Sequence, residues 1–326
     1  YYSRYLRPLK DYFIGGLEFM IPWLARVRPV YNLPMQLPPV QWLLKHVAGM
    51  VDSPLISRTH LNTALRQHNI PLATAYTLSQ LSPEERAHSV ILVQDAFTSF
   101  FETDTVVDFL EAYRLMGFNP LVMPYLPNGK PLHVHGFHNA FAATAKKQAL
   151  WLRGLSSFKV PFVGVDPSMV LAFRSEYRAL LGDAAVPDVL LPQEYLATHL
   201  PLQPAVQATE HSTWYLLAHC TESTNAAPSI QQWQQVYQRL GLTLKVLSVG
   251  CCGMAGTYGH ETRNRTNSEV IYDLSWRALV ENPAYRDRLV ATGYSCRSQS
   301  QRLSGATLPH PLKALKEALT AAQPIP

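Results

Sequence analysis

The rhythm of apolar positions changes near residue 88. Before that point helical spacing is repeatedly broken by proline. Phe13, Leu17, Met20 and Leu24 recur at intervals of three and four, which sets them on one face of a helix that Pro22 should kink. Pro29, Pro34, Pro38 and Pro39 mark an irregular crossing segment. Helices resume over 40–51 and 58–68 around the break Asp52-Ser53-Pro54, and Ser82-Pro83-Glu84-Glu85 has the composition of a linker or helix cap. From His88 onward, short apolar runs alternate with amphipathic ones. The pattern predicts strands at 89–94, 120–124 and 161–165, with helices at 104–116, 139–152 and 168–181 between and after them. A β-α-β-α-β order predicts a parallel sheet covered by helices. After a loop at 187–204 the order restarts with a strand at 213–218.

The second run copies the first. Tyr113-Arg114-Leu115-Met116-Gly117 falls on Tyr237-Gln238-Arg239-Leu240-Gly241 at an offset of 124. The same offset puts Ala96 on Cys220, Pro127 on Cys251, Asn128 on Cys252 and Gly129 on Gly253. Three residues of slippage later, Pro167-Ser168-Met169 falls on Tyr294-Ser295-Cys296. The predicted fold is therefore α/β, with two pseudo-repeated β-α-β-α-β lobes on parallel, Rossmann-like sheets, preceded by a helical segment. The boundaries read from the sequence are 1–87 for the helical segment, 88–204 for the first lobe and 205–326 for the second.

Composition adds the chemistry. The chain has four cysteines, Cys220, Cys251, Cys252 and Cys296, and the repeat puts each just after a strand of the second lobe. All four then lie at the carboxyl edge of one parallel sheet, where open α/β folds place ligands. Adjacent residues of a regular strand point to opposite faces, so Cys251 and Cys252 can share a centre only outside β geometry, which Gly250 and Gly253 permit. Four sulfurs are the donor set of tetrahedral zinc or an iron–sulfur cluster; a redox dithiol and buried free thiols are the alternatives. His219, His260 and Glu261 are candidates for contacts around the thiols. Arg297 beside Cys296 either favours its thiolate or is solvated. His133, His135 and His138 cluster in a loop of the first lobe, and ordinary loop histidines are the plainer reading.

Four widely spaced cysteines do not form a secreted disulfide framework, so a reducing cytoplasm is expected. Asn264-Arg265-Thr266 matches a glycosylation acceptor, which has no meaning there. A net charge of +5 with scattered Lys and Arg excludes a nucleic-acid track, and Arg263-Asn264-Arg265 is too short to be one. Hydrophobic residues make up 47% of the chain and charged ones only 16%, a deficit that points to surface buried against a partner. No apolar run reaches the ~20 residues of a membrane span. Peripheral contact at the inner membrane face through the Phe13 helix is the alternative to packing on a neighbour. The chain opens on Tyr1, so it reads as cut from something longer.

Cys220, Cys251-Cys252-Gly253 and a final cysteine, in tandem lobes, resemble the CCG cysteine-rich domain of heterodisulfide-reductase-like proteins. Tyr5-Leu6-Arg7-Pro8-Leu9-Lys10-Asp11-Tyr12, His219-Cys220-Thr221-Glu222, the stretch from Cys251 to Glu261, and Gly293-Tyr294-Ser295-Cys296-Arg297-Ser298-Gln299 are similar to one group among these. That group is the C-terminal part of the bacterial FAD-linked oxidases with an iron–sulfur domain, the D-2-hydroxyglutarate dehydrogenase type. The resemblance implies upstream flavin and ferredoxin-like domains carrying FAD and a 4Fe-4S cluster. It also implies electrons passing from the flavin to an acceptor, and a fragment inactive by itself. The family pattern ends in two cysteines three apart, and Gly293 stands in place of the first. That leaves four thiols rather than five. The alternative function is a scaffold module with a structural zinc.

Overall fold

The structure is a computed structural model that describes residues 6–201 and 213–322. Strands β1 (Ser89–Leu92), β2 (Asn119–Val122), β3 (Phe162–Val163) and β4 (Val189–Leu190) form one parallel sheet in the order β2-β1-β3-β4. Strands β5 (Thr213–Leu217), β6 (Thr243–Leu247) and β7 (Leu289–Ala291) form a second, ordered β6-β5-β7. Every residue of β1 is buried, as expected for a central parallel strand with helices on both faces. The two sheets share one strand order, so the copy read from the sequence is a copy in space.

The copy runs further than the sequence suggested. The stretch 187–204, read as loop, contains β4 and the helix Pro192–His199. Pro192 hid that helix, although proline suits a first helical position, where no N–H is needed. Gly164 N–H bonds the carbonyl of Leu190, and Ala291 N–H bonds the carbonyl of Pro309, each at 3.0 Å. The extended chain before the helix Pro311–Ala322 thus lies beside β7 as β4 lies beside β3.

These two late helices interlock the halves. Pro192–His199 packs on Pro228–Arg239 of the second half, while Pro311–Ala322 packs on Thr103–Leu115 of the first. The Tyr113 hydroxyl donates to the carbonyl of Pro192 at 3.1 Å, and its equivalent Tyr237 donates to that of Pro311 at 2.9 Å. Phe109, Tyr113, Tyr195, Trp233, Tyr237 and Leu315 belong to one buried cluster. Lys316 closes the seam with ion pairs to Asp108 and, at 3.1 Å, to Glu111.

The N-terminal segment lies across this body. The helices Leu9–Gly15 and Leu17–Leu24 bury Ile14, Glu18 and Ile21, and Ala25 in the turn after them is buried as well. The expected stripe is therefore turned: Leu17 and Leu24 are half-buried, and Phe13 is 51% exposed. The segment is stitched to the second half through Val51 N–H to the carbonyl of His260 at 2.6 Å and Thr262 N–H to that of Gly49 at 2.8 Å. Among the described residues no helix is long and apolar enough to cross a membrane.

The matched tyrosines give a test of the interlock. In Tyr113→Phe and Tyr237→Phe a buried hydrogen bond disappears while the ring stays, so each should cost about 0.5–1.5 kcal/mol. Their effects on the urea midpoint should be of similar size and should add. A loss confined to one of the two would show that the halves are not held equivalently.

Candidate thiol site

Each cysteine follows its strand. Cys220 opens the helix Cys220–Asn225 after β5, Cys251 and Cys252 lie in the turn after β6, and Cys296 is in the first turn of Tyr294–Ser304 after β7. The turn is fixed from three sides. Gly253 has φ of +83°, and a Cβ there would meet the Ser268 carbonyl oxygen at 2.3 Å, so only glycine fits. Trp276 donates to the Gly250 carbonyl at 3.0 Å, and Ser268 donates to the Gly253 carbonyl at 2.8 Å. Gln299 in turn holds Ser268 at 2.8 Å.

The sulfurs form a line of neighbours. Cys220 contacts Cys251, Cys251 contacts Cys252, and Cys252 contacts Cys296. Cys252 and Cys296 are buried, while Cys220 and Cys251 are half-exposed. Thiol donation from Cys220 and Cys252 draws the Cys251 thiol far down, helped by the Gly253 N–H at 3.4 Å. The same contacts push Cys220 and Cys252 up. Among the described residues, no three His, Cys, Asp or Glu side chains are arranged around a common metal position.

His219 is the candidate that touches this line. It caps the Cys220 helix, with Nδ1 accepting from Thr221 N–H at 3.2 Å and Nε2 facing the Ser295 hydroxyl at 3.2 Å. Burial lowers its pKa, so the ring is neutral with the proton on Nε2. His219 also fills the place a fifth thiol would need. A Cβ at Gly293 would lie 2.2 Å from its Cδ2.

The other candidates face elsewhere. His260 binds Asp52 at 2.5 Å, and Glu261 binds Lys10 at 2.7 Å and Arg263 at 2.8 Å, so both anchor the N-terminal segment. Arg297 is 3% exposed and not solvated, and Cys296 is near enough to act on its charge, but its hydrogen bonds go elsewhere. It ties Glu102 of the first half to the carbonyls of Ala291 and Thr292, at 3.0 and 2.8 Å. Of the loop histidines, His133 and His138 meet edge to face with ring centroids 6.3 Å apart, and His135 turns to other partners. His133 lies 3.9 Å from Glu176, and His135 contacts Asp11 at 3.5 Å and Thr257 at 3.4 Å.

In the first half, buried acids stand where the second half has thiols. Ala96, Pro127, Asn128 and Met169 replace the four cysteines, as the offset requires. Asp95 takes the place of His219, capping Phe97 and Thr98 at 2.8 and 2.9 Å. Glu18 enters from the N-terminal helix and accepts from Gly129 N–H at 2.5 Å. Burial raises Glu18 to about 8, and burial with the nearby Asp166 raises Asp95 to about 6. Glu222, bound by Thr292 at 2.6 Å and Gln193 at 2.7 Å, is raised by burial to about 7. Sequence reasoning did not single out Glu18 or Glu222. The available signal for Glu18 was an acid amid an apolar helix, Leu17-Glu18-Phe19-Met20-Ile21.

No family model matches the chain. The D-2-hydroxyglutarate dehydrogenase of Pseudomonas putida is 46% identical over 316 residues, covering 97% of this chain and 31% of that protein. The protein of the same name from Escherichia coli is 42% identical over 318 residues, with the same two shares. Over nearly its whole length the chain is similar to part of these D-2-hydroxyglutarate dehydrogenases. It spans about a third of the length of these curated relatives, 31% for both. A subunit of the anaerobic glycerol-3-phosphate dehydrogenase of Escherichia coli is 35% identical over 79 residues, 24% of this chain and 19% of that protein. No solved structure matches.

Two measurements check this geometry. Gly293→Ala should destabilise by about 1–3 kcal/mol, because a methyl group is forced into an imidazole. In the His219→Ala background the same change should cost far less, and an equal cost in both backgrounds would break the link. For Glu18, the unfolded carboxyl ionises near 4.5 and the folded one near 8. Between those values the unfolded chain has released a proton that the folded chain keeps, so stability falls as pH rises and levels off above the window. Glu18→Gln should flatten that decline in urea midpoints without abolishing it, since Asp95 and Glu222 act with the same sign. An unchanged slope would rule out the protonated Glu18.

Proposed function

We propose that the chain supplies the cysteine-rich segment of an FAD- and iron–sulfur-dependent D-2-hydroxyacid dehydrogenase. The names of its relatives point to D-2-hydroxyglutarate as substrate. In this reading Cys220, Cys251, Cys252 and Cys296 bind a metal centre on the path from the flavin to an acceptor. The observation that carries it is the continuous line of four sulfurs at the carboxyl edge. In kind and number the donors suit sulfur-only ligation by four thiolates, since His219 occupies the fifth position, and they would have to close up from a line to surround one centre. An iron–sulfur cluster held there would supply one-electron transfer, and a zinc ion would fix three strand ends without redox chemistry.

The chain's own residues prepare the site. Gly253 N–H favours charge on Cys251, while Met254 and Trp276, both buried, pack with Cys252 and Cys296. The reading also assigns the exposed apolar residues of the N-terminal helices to a partner. Trp23 is 67% exposed, Val30 72% and Leu33 65%, and a patch of this kind usually marks an interface. The assigned partners are the flavin and ferredoxin-like parts of a longer chain, which fits a match to a third of the relatives' length.

Metal analysis with absorbance, on protein purified without oxygen, tests the proposal. Iron and sulfide with a broad visible band that bleaches on reduction would support the electron-relay reading. One zinc in a colourless protein would support the scaffold reading instead. Cys251→Ser should remove most of either metal, since it deletes a sulfur from the middle of the line. A protein with neither metal, or one whose metal survives Cys251→Ser, would overturn the thiolate centre.

A further inference from the structure

The shared strand order lets the outer edges of the two sheets be compared residue by residue. β2 and β6 each end a sheet, and the offset that sets Leu92 on Leu216 also sets Val122 on Val246. On β2 the N–H groups of Asn119 and Met123 reach the carbonyls of His88 and Leu92, so alternate positions face β1 and Val122 faces outward. That outward edge is covered. Val122 N–H donates to the carbonyl of Pro71 at 3.1 Å, and its own carbonyl accepts from Ala73 N–H at 2.8 Å. Leu72 is thereby bridged to Val122 in parallel, and an extended piece of the N-terminal segment completes the sheet.

The same edge of the second half is open. Val246 is paired with Leu216 on one side, and among the described residues no backbone group bonds it from the other. It is 38% exposed, whereas Val122 is fully buried. The Leu244 carbonyl on this edge accepts from the Gln234 side chain at 3.2 Å. Lys245 stands where the first half has the buried Leu121; it is exposed and has no carboxylate partner among the described residues. An edge lysine opposes indiscriminate pairing and favours a strand that brings an acid beside it.

We propose that the outer edge of β6 takes up an extended segment from the part of a longer protein that lies outside this chain. The segment runs parallel to β6, exchanges hydrogen bonds with Val246 and sets an acidic side chain beside Lys245. This rests on the reading of the chain as part of a longer dehydrogenase. Strand addition draws its affinity from main-chain bonds. The first half shows the form of the occupant, an extended stretch of the same polypeptide on the equivalent valine. The five residues of β6 are too few to bury the ~800 Å² per partner of a stable complex between separate proteins. A covalently linked segment does not need that area, since its tether gives it an effective concentration of about millimolar. The relatives have the length for it, as the chain spans 31% of each.

Hydrogen exchange read by mass spectrometry, on this chain and on the full-length protein, tests the proposal. The Val246 amide should exchange roughly tenfold more slowly, or slower still, in the full-length protein. The Val122 amide, covered in both, should exchange alike and serves as the reference. Lys245→Glu should return Val246 in the full-length protein toward the rate of the chain alone. The heat stability of the chain alone should not change, because the side chain is exposed. Equal rates at Val246 in the two proteins would overturn the proposal. So would slowing that survives Lys245→Glu, or slowing that appears in the chain alone as its concentration rises, which marks a second copy. Exchange at β6 does not depend on metal at the thiols, so a failure here and a failure of the thiolate centre are told apart.

Discussion

The structure depends on a shared aromatic core between its two halves. Each sheet gives its last helix to the other half's surface, and Tyr113, Tyr195, Trp233 and Tyr237 are at most 1% exposed where those helices meet. Large rings buried in this way dominate a core's free energy and tolerate few alternative packings. The mutual orientation of the two sheets is therefore set by side chains far from any chemistry. Their carboxyl edges are brought close enough for Arg297 to bind Glu102 and for Asp166 to reach the Tyr294 N–H at 2.7 Å.

From that constraint the difference between the halves becomes intelligible. The same backbone turn is built twice, around Gly129 with φ of +81° and Gly253 with φ of +83°. In the second half the adjoining N–H groups and helix starts face sulfur. In the first they face carboxyl groups supplied by Asp95, Asp166 and, from another element, Glu18. Removing thiols from such a position leaves donors pointing into a buried space, and an acceptor must replace them. A protonated or hydrogen-bonded carboxyl does so. The unpartnered Oε1 of Glu18 and Oδ1 of Asn128 show that the replacement is incomplete.

Much of this was legible in the sequence, for reasons that also mark where legibility stopped. Parallel strands alternating with helices, and the carboxyl-edge placement of Cys220, Cys251, Cys252 and Cys296, followed from apolar runs and one repeated offset, because strand and helix periods are written locally, whereas the order of strands within each sheet is not. The interlock was not legible, because Pro192 disguised a helix start as a loop and because reciprocal packing is a property of surfaces. The roles of His260, Glu261 and Arg297 were equally hidden. Proximity in sequence to a cysteine does not fix where a long side chain goes, and all three reach instead for Asp52, Lys10 and Glu102. Glu18 was out of reach because its partner, Gly129, lies 111 residues away.

The half without thiols has its own part in placing the site. Asp166 caps its own helix, accepting from Ser168 N–H at 2.9 Å and Met169 N–H at 3.3 Å through one oxygen. Its other oxygen accepts from the N–H of Tyr294, the first residue of the helix that carries Cys296. The natural cap of that second helix is Gly293, which has no side chain to offer and, with His219 against it, no room for one. One buried carboxylate thus caps two helices from opposite halves, at a typical worth of about 0.5–2 kcal/mol for each cap. The position equivalent to Gly293 is Asp166 itself. The half that kept a side chain at this position supplies the group that the half with the thiols lacks, and the helix start bearing Cys296 is fixed only when both are present.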